Sequence, residues 1–365
     1  MATPNDPFFL ALQVAPSIAW GDTAAGKTSG IRALMQALKR WFLHLNGATH
    51  VAEDFSGYPN PDFEAGVVRQ MPPSWVENFK DGNGCVMLDE LTCTTQATLA
   101  GELTLLSDNM VGDYQLPPTT LKCAAANPPE QAPNAAPLPV SIRSRFFHWQ
   151  WVTDREALFA GFRNGLKFPA PEFPIVPDWW QDNLAKYGAI VEQFLRATPD
   201  CLSRIPTDDT VMAFPQPRGW EFVIRTFAAA SAAGYDDKSP MFKELAQGCV
   251  GQAEASELVR FIAKRDLIDA EAVLNGTLNY KYEKRVDLNI CLLTGLVQGL
   301  RKDNAAERWC NAAKVFIEMG ANGEIETCLM AFRPFWNDTS KGGVRPVGWV
   351  PPQAIIGKLM EIAQV

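Results

Sequence analysis

The chain carries glycines, a lysine and a threonine at a spacing that suits the binding of a phosphate group. Gly21, Gly26, Lys27 and Thr28 fit the pattern G-x-x-x-x-G-K-[ST] within the stretch WGDTAAGKTSG. In such a loop the backbone N–H groups face a β-phosphate, the lysine reaches the β- and γ-oxygens, and the hydroxyl meets a magnesium ion. The alternative is a strand-to-helix turn in which the lysine is incidental. The residues of the predicted nucleotide site are Gly21, Asp22, Thr23, Ala24, Ala25, Gly26, Lys27, Thr28 and Ser29.

Two carboxylates follow the apolar run CVML further along the chain. Asp89 stands at the end of this predicted strand, where it can hold a magnesium shell together with Thr28, and Glu90 can polarise an attacking water. In isolation the pair could equally cap a helix after a buried strand. Because it comes after a phosphate loop, the pair favours nucleotide hydrolysis.

These residues need a sheet that brings them to one edge. The segment Ser17–Trp20 predicts a first strand, and the apolar spacing from Ile31 to Leu45 predicts a long helix after the loop. The runs GCVMLDEL and TTLKCAAAN predict two further buried strands, the second ending at Asn127. Their polar ends are therefore expected at the same edge of a parallel sheet. No G-x-G-x-x-G opens a helix, which argues against a dinucleotide-binding Rossmann site.

Composition excludes several other classes of protein. The 365 residues are 47% hydrophobic and 20% charged, which is typical of a globular chain with two or three domains. A net charge of −8 makes nucleic acid an unlikely partner. No apolar run is long enough for a membrane span, so a cytoplasmic location is expected. Eight cysteines without CxxC spacing and three histidines make a structural zinc site improbable.

The second half of the chain changes from alternating strands and helices to mainly helical patterns. A Pro-rich stretch at 168–180 is typical of a linker between compact units. After it, apolar residues recur at three- and four-residue steps, and a short final helix is expected to begin near Pro351 and Pro352. The helical segments predicted in between are 220–234, 257–267, 288–300 and 305–320.

The order of these motifs resembles that of the AAA+ ATPases, and of their MoxR-like branch in particular. The matching segments are WGDTAAGKT, VMLDEL, LKCAAANPPE, SIRSRF and AFPQPRGW, and they cover roughly the first 220 residues. The resemblance assigns no role to 301–365. The resemblance implies an α/β P-loop NTPase core with a parallel sheet (1–165), an all-α lid (166–300) and a C-terminal helical extension of unassigned role (301–365).

The resemblance also assigns roles to four further residues. Asn127 matches the sensor 1 position, which helps Glu90 orient the water. Arg145 matches an arginine finger that reaches the nucleotide of a neighbouring subunit, with Arg143 as the alternative. Arg218 matches the sensor 2 arginine that contacts the γ-phosphate. Without the resemblance, Asn127 could cap the turn into Pro128, and the arginines could be ordinary surface cations.

The function implied is a magnesium-dependent ATPase that forms a homo-oligomeric, hexameric ring and remodels or activates a protein partner, such as a von Willebrand A domain protein. ATP and Mg²⁺ are the expected cofactors. Two alternatives stay open. The chain could be an ATP-switched signalling or scaffold protein with little turnover, which the intact Glu90 and Asn127 disfavour. It could also be a P-loop small-molecule kinase, which the motif order disfavours.

A segment rich in aromatic and turn residues, EDFSGYPNPDFEAG (Glu53–Gly66), follows an apparent second strand, ATHVAEDF. In a ring of this family it would lie near the axis. An aromatic side chain on a glycine-hinged loop could grip an extended polypeptide, because large flat rings gain contact area at low rotamer cost. The alternative is that Phe55 packs under the loop and that Tyr58, next to Pro59, shapes a turn.

Overall fold

A computed structural model of the chain describes residues 3–128, 135–169, 171–263 and 268–363. The contacts divide the chain into two compact units whose segments alternate in sequence. The first unit consists of Met1–Val176, Asp200–Thr226 and Ser239–Ser256, and the second of Pro177–Pro199, Phe227–Lys238 and Glu257–Val365. The two units are described separately below.

The first unit is built on a five-stranded sheet in which every neighbouring pair is parallel, in the order β2-β5-β8-β1-β9. Two short antiparallel hairpins, β3-β4 and β6-β7, accompany it. The strands are β1 (Ser17–Trp20), β2 (Trp41–Asn46), β3 (Tyr58–Asp62), β4 (Val67–Met71), β5 (Gly84–Asp89), β6 (Met110–Val111), β7 (Tyr114–Gln115), β8 (Leu121–Ala126) and β9 (Phe147–Gln150).

The described residues also form fifteen α-helices and several short 3-10 turns. In chain order the helices are α1 (Asp6–Leu12), α2 (Lys27–Ala37), α3 (Glu53–Ser56), α4 (Gln96–Asp108), α5 (Val140–Arg143), α6 (Arg155–Arg163), α7 (Leu184–Ala197), α8 (Pro217–Ala232), α9 (Pro240–Val250), α10 (Gln252–Ala263), α11 (Ala270–Leu274), α12 (Val286–Lys302), α13 (Ala306–Ala321), α14 (Ile325–Trp336) and α15 (Gln353–Ala363). In the described ranges no helix has the length and apolar character needed to cross a bilayer.

The central strands are short and apolar because both faces of the sheet are covered. All four residues of β1 are buried, and β1 pairs with β8 on one side and β9 on the other. Helix α1 packs against β1 and β9. The other face carries a core that includes Ile18, Val86 and Leu105 of α4. The predicted strands at Ser17–Trp20, β5 and β8 are confirmed, and so is the expected α/β class, with a parallel-sheet core followed by a helical part.

The long helix predicted from Ile31 to Leu45 is wrong in its second half. Helix α2 ends at Ala37, and Lys39 has a left-handed backbone with φ of 55°. The chain then turns into β2, which runs along β5 from Trp41↔Gly84 to Asn46↔Asp89. The apolar residues of WFLHL fit both periods over such a short stretch, and pairing with β5 decides in favour of a strand.

The second strand expected at ATHVAEDF is also wrong. This segment is a turn followed by the four-residue helix α3, and the true second strand of the sheet is β2. After α3 the chain forms the hairpin of β3 and β4, with Tyr58 opposite Met71 and Asp62 opposite Val67. The segment Glu53–Gly66 therefore forms α3, the first strand of this hairpin and the turn that leads to β4.

The second unit is helical in its described residues, and its core is rich in aromatic side chains. The predicted helical segments 288–300 and 305–320 correspond to α12 and α13, and the tail helix is α15, after the two prolines. Segments 220–234 and 257–267 correspond to α8 and α10, which have residues in both units, although 264–267 lie outside the described residues. We call the following group the aromatic cluster: Trp309, Phe316, Phe332, Phe335, Trp336 and Trp349.

Candidate functional site

The predicted phosphate loop connects the end of β1 to the start of α2. Gly26 has φ of 90° and Ala24 has φ of 63°, so two residues of the loop adopt left-handed backbone. Such conformations turn successive N–H groups toward one side and can create an anion-binding concavity. Trp151 contacts the loop, and its Nε1 donates a hydrogen bond to the carbonyl of Ala25 at 3.0 Å. Its residues from Asp22 to Ala24 are exposed.

Lys27 is the first residue of α2, and only 7% of it is exposed. Its Nζ donates to the carbonyls of Gly21 (2.7 Å) and Asp22 (2.9 Å) and to Oδ1 of Asn127 (2.8 Å). Burial lowers the pKa of Lys27, while the charges of Asp89, Glu90 and Asp22 act in the opposite direction. The ammonium thus has three acceptors, and its position bridges the loop to the end of β8.

Glu90 follows β5 directly, in a left-handed conformation with φ of 54° and ψ of 40°. This backbone costs a non-glycine residue about 1 kcal/mol and is concentrated at functional sites. Asn127 holds the carboxylate, since its Nδ2 lies 3.0 Å from Oε1 and 2.9 Å from Oε2. The Cys93 thiol approaches Oε2 at 3.9 Å. Asn127 therefore joins the side chains of Lys27 and Glu90 through its two amide atoms.

Asp89 and Thr28 supply the oxygens expected around a magnesium ion. The Thr28 hydroxyl donates to Oδ2 of Asp89 at 3.1 Å, and the backbone N–H of Glu90 donates to Oδ1 at 3.0 Å. Among the described residues no group of three or more His, Cys, Asp or Glu side chains could hold a metal by itself. A carboxylate, a hydroxyl and substrate phosphates are a donor set that suits Mg²⁺, which keeps several waters.

We call these five side chains the strand-edge cluster: Lys27, Thr28, Asp89, Glu90 and Asn127. The expectation that the ends of β5 and β8 meet at one edge of a parallel sheet is confirmed by the contacts between Glu90 and Asn127. Sequence reasoning missed two neighbours, His44 and Cys93. His44 Nε2 lies 2.6 Å from Oδ2 of Asp89. The sequence does not indicate this contact, because the apolar spacing predicts a helix where the structure has β2.

Arg143, the alternative candidate for the arginine finger, makes its hydrogen bonds within its own chain. Its side chain is fully buried, and its guanidinium donates to the carbonyls of Asp208 and Asp209 at 3.2 Å each and to that of Val211. It also lies over the ring of Phe214, with 5.8 Å from Cζ to the centroid. These contacts tie α5 to the 208–211 loop of the same unit. To reach another subunit, Arg143 would have to break all of them.

Arg145 is half-buried and stands beside Arg218. Its Nε donates to Oγ of Ser107 at 2.6 Å, and another nitrogen donates to the carbonyl of Ser141. Burial and then the nearby charge of Arg218 lower the pKa of Arg145. The Gln216 side chain donates to the carbonyl of Ser144 at 2.7 Å, which fixes the segment before Arg218 to that before Arg145. The guanidinium groups of Arg145 and Arg218 are therefore close to each other in the first unit.

A buried histidine connects the predicted phosphate loop to the segment that carries these arginines. Trp20 precedes the loop, and its Nε1 donates to Nδ1 of His148 at 3.0 Å. His148 Nε2 lies 2.8 Å from the carbonyl of Arg143. Because a carbonyl oxygen only accepts hydrogen bonds, Nε2 is the ring nitrogen that carries the hydrogen. Burial lowers the pKa of His148 to about 4. The ring is neutral at physiological pH and links the end of β1 to α5.

Comparison with known proteins leaves the family of the chain open. No family model matches the chain, and no curated protein matches it either. Among solved structures, the chain is similar to one from Cytophaga hutchinsonii described as a "putative ATPase". The two share 15% sequence identity, with a TM-score of 0.43, over 72% of this chain and 88% of that chain.

Proposed function

We propose that the chain is a magnesium-dependent ATPase of the AAA+ class, of the MoxR-like branch, that works as a homo-oligomeric ring on a protein partner. The observation that carries the proposal is the connection of Lys27 to Glu90 through Asn127. A phosphate-binding cation and a water-polarising carboxylate are thereby held at one edge of one sheet, with distances of 2.8 to 3.0 Å. Phosphoryl transfer depends mainly on such positioning and on electrostatic stabilisation.

Each side chain of the strand-edge cluster has a task in hydrolysis. Lys27 exchanges some of its present acceptors for β- and γ-phosphate oxygens, and the loop N–H groups bind the remaining charge. Glu90 accepts a hydrogen bond from the attacking water, and Asn127 keeps the carboxylate in place. The water attacks the γ-phosphorus and gives a proton to the Glu90 carboxylate, the bond from the γ-phosphorus to the β-γ bridging oxygen breaks, and ADP leaves with the electron pair.

Thr28 and Asp89 would hold the magnesium ion. When bound, Mg²⁺ neutralises charge on the β- and γ-phosphates. The protein's own contribution is to keep the two oxygens on adjacent elements, the first turn of α2 and the end of β5. They are already in hydrogen-bond contact at 3.1 Å.

Arg145 supports a ring because its guanidinium contacts Ser107 and Ser141, which are not among the three acceptors of Lys27. A planar cation suits phosphate oxygens, and a half-buried position leaves it accessible to a neighbouring subunit. The buried bonds of Arg143 favour Arg145 of the two. A finger that completes a neighbour's site requires a closed assembly, and we propose a hexamer with Arg218 contributing to phosphate binding.

The hairpin of β3 and β4 is the element we propose for contact with the protein partner. Phe55 is fully buried, as the packing alternative expected, but Tyr58 is 47% exposed and Phe63 at the turn is 90% exposed. Val68 and Met71 are exposed on the same hairpin. A set of large apolar side chains in water is typical of an interaction site.

The backbone of the hairpin limits how a partner binds. Pro59 and Pro61 carry no N–H and therefore fit only where that group would face away from β4. The outer edge of β3 offers no donors at these positions, which disfavours strand addition. We infer that side chains, rather than main-chain pairing, engage the partner, and a von Willebrand A domain protein is the candidate suggested by the resemblance.

Two substitutions test the site. Lys27→Ala should abolish ATP binding, because it removes a contact made in the ground state, whereas Glu90→Gln should keep ATP bound and stop turnover. Binding is measured by isothermal titration calorimetry and turnover by phosphate release. Unchanged hydrolysis in either variant would contradict the site. A parent chain that binds ATP and releases no phosphate would instead favour the ATP-switched scaffold.

A further inference from the structure

His44 lies on the edge strand β2 and reaches the predicted metal ligand of the neighbouring strand. Asn46 is the residue paired with Asp89, so His44 contacts the carboxylate from two positions earlier in its own strand. Its Nε2 is 2.6 Å from Oδ2 of Asp89, and its side chain is 34% exposed. The neighbouring Phe42, on the same face of β2, lies under Arg32 of α2. His44 therefore occupies the face of the sheet on which α2 begins with Lys27 and Thr28.

The chemistry of the contact defines which atom donates. An ionised carboxylate only accepts hydrogen bonds, so Nε2 of His44 carries the hydrogen in either charge state of the ring. Asp89 then has three donors, namely His44 and Thr28 at Oδ2 and the backbone N–H of Glu90 at Oδ1. Thr28 can donate its hydrogen while a lone pair faces a metal. His44 is the donor that is not itself an expected ligand.

We propose that His44 is a positioning residue that orients the Asp89 carboxylate for Mg²⁺ binding; this inference rests on the proposed ATPase function. Without His44, Oδ2 would keep only the Thr28 hydroxyl, and the carboxylate could rotate toward water at the exposed side of β2. Partners of this kind typically change metal affinity by 10- to 100-fold when they are removed. The remaining donors to the carboxylate would be the backbone N–H of Glu90 and the hydroxyl of Thr28, and Thr28 is itself an expected metal ligand.

The test uses the full chain and the variants His44→Ala and His44→Gln, with His50→Ala as a matched control. His50 is the other histidine near this edge, and its Nδ1 contacts the carbonyl of Asn46 at 2.8 Å and not Asp89. Calorimetry measures ATP affinity in EDTA and then the Mg²⁺ concentration that gives half of the metal-dependent gain in affinity. Thermal unfolding of the nucleotide-free chain is recorded in parallel.

We expect His44→Ala to raise the Mg²⁺ midpoint by about 10- to 100-fold and to leave ATP affinity in EDTA and thermal stability near those of the parent. His44→Gln keeps an N–H donor and should recover part of the loss, and His50→Ala should match the parent. A parent-like Mg²⁺ midpoint in His44→Ala would overturn the proposal, as would an equal loss of affinity in EDTA. A parent that binds no ATP in any condition would overturn the proposed function itself.

Discussion

The strand-edge cluster of the first unit and the aromatic cluster of the second are both largely enclosed by protein, but different forces hold them. In the strand-edge cluster, Lys27, Asn127 and Glu90 are joined by hydrogen bonds of 2.8 to 3.0 Å. In the aromatic cluster, Trp309 stacks on Phe335 with centroids 4.4 Å apart, and Phe335 stacks on Phe316 at 4.3 Å. Directional hydrogen bonds stabilise the strand-edge cluster, whereas buried apolar area and close packing of the rings stabilise the aromatic cluster.

This difference in the interactions predicts which substitutions change catalytic turnover and which change the stability of the fold. A polar network can exchange its internal acceptors for a ligand's oxygens, because each bond has a comparable replacement. A stacked aromatic core has no such exchange, and any lost ring leaves a cavity. We therefore expect substitutions in the first unit's polar groups to change turnover more than unfolding, and substitutions in the aromatic cluster to do the reverse.

Beyond the Lys27→Ala and Glu90→Gln substitutions described above, the largest effect is expected from Arg145→Ala, which extends the comparison to a polar group outside the strand-edge cluster. ATP binding should stay near that of the parent, and turnover should fall by about 10³-fold or more, as for other arginine fingers. Mixing this variant with Lys27→Ala should restore some activity, because each subunit type supplies what the other lacks. Phosphate release from defined mixtures is the measurement. Mixed rings with no recovery would contradict a role for Arg145 in trans.

A large structural effect is expected from Trp309→Ala in the aromatic cluster. Trp309 is fully buried, and its Nε1 also donates to the carbonyl of Phe335 at 3.1 Å. Its removal should lower the free energy of unfolding by about 3 to 5 kcal/mol. Urea unfolding followed by circular dichroism tests this. Trp41→Ala, at a half-exposed tryptophan of β2, is the control and should cost less than about 1 kcal/mol.

A buried carboxyl group in the first unit contrasts with the hydrogen-bonded side chains of the strand-edge cluster. Glu102 on α4 is fully buried, and neither of its carboxyl oxygens has a hydrogen-bond partner among the described residues. Burial raises the pKa of Glu102 from 4.5 to about 8. Between these values the folded chain keeps the proton while the unfolded chain releases it. Its contribution to stability is therefore complete below pH 4.5 and is lost as pH rises toward 8.

Glu102→Gln removes this titration without a large change of volume. Relative to the parent, the variant should gain about 2 to 3 kcal/mol of unfolding free energy between pH 5.5 and pH 8. Urea unfolding at the two pH values gives the comparison. Glu244→Gln, at another carboxyl of the first unit whose pKa is raised by less complete burial, should show a smaller change. Parallel pH profiles for parent and Glu102→Gln would show that Glu102 is ionised in the folded chain.

The smallest effect on the isolated chain is expected from Tyr58→Ala, at an exposed site that belongs to neither cluster. The Tyr58 hydroxyl donates to Oδ1 of Asp54 at 2.9 Å, a contact at the surface. Melting temperature should stay within about 2 °C of the parent, since surface substitutions rarely change stability much. Hydrolysis without a partner should also be retained, while stimulation by a partner is lost. A markedly lower melting temperature would identify Tyr58 as a packing residue.

The local hydrophobic pattern was sufficient to predict a helix or a strand wherever a segment had a single clear hydrophobic period and well-marked ends. The strands β1, β5 and β8 were predicted because short apolar runs ended at polar residues, and α12 and α13 because apolar residues recur at helical steps over sixteen or so positions. The segment from Ile31 to Leu45 misled, because α2 and β2 are separated by three residues and no proline or glycine marks the break. Lys39 adopts the left-handed turn conformation that a glycine would have signalled.

The order and types of residues by themselves predicted a phosphate loop and determined that two carboxylates follow β5 and an asparagine follows β8. These follow from local chemistry, since each motif lies within one strand end or one loop. The tertiary structure decided which side chains meet: Lys27 and Asn127 are 100 residues apart, and His44 and Asp89 are 45 apart. It also decided that Arg143 is buried while Arg145, two residues later, is half-exposed. Such outcomes depend on strand register and on packing between distant segments, which periodicity along the chain does not encode.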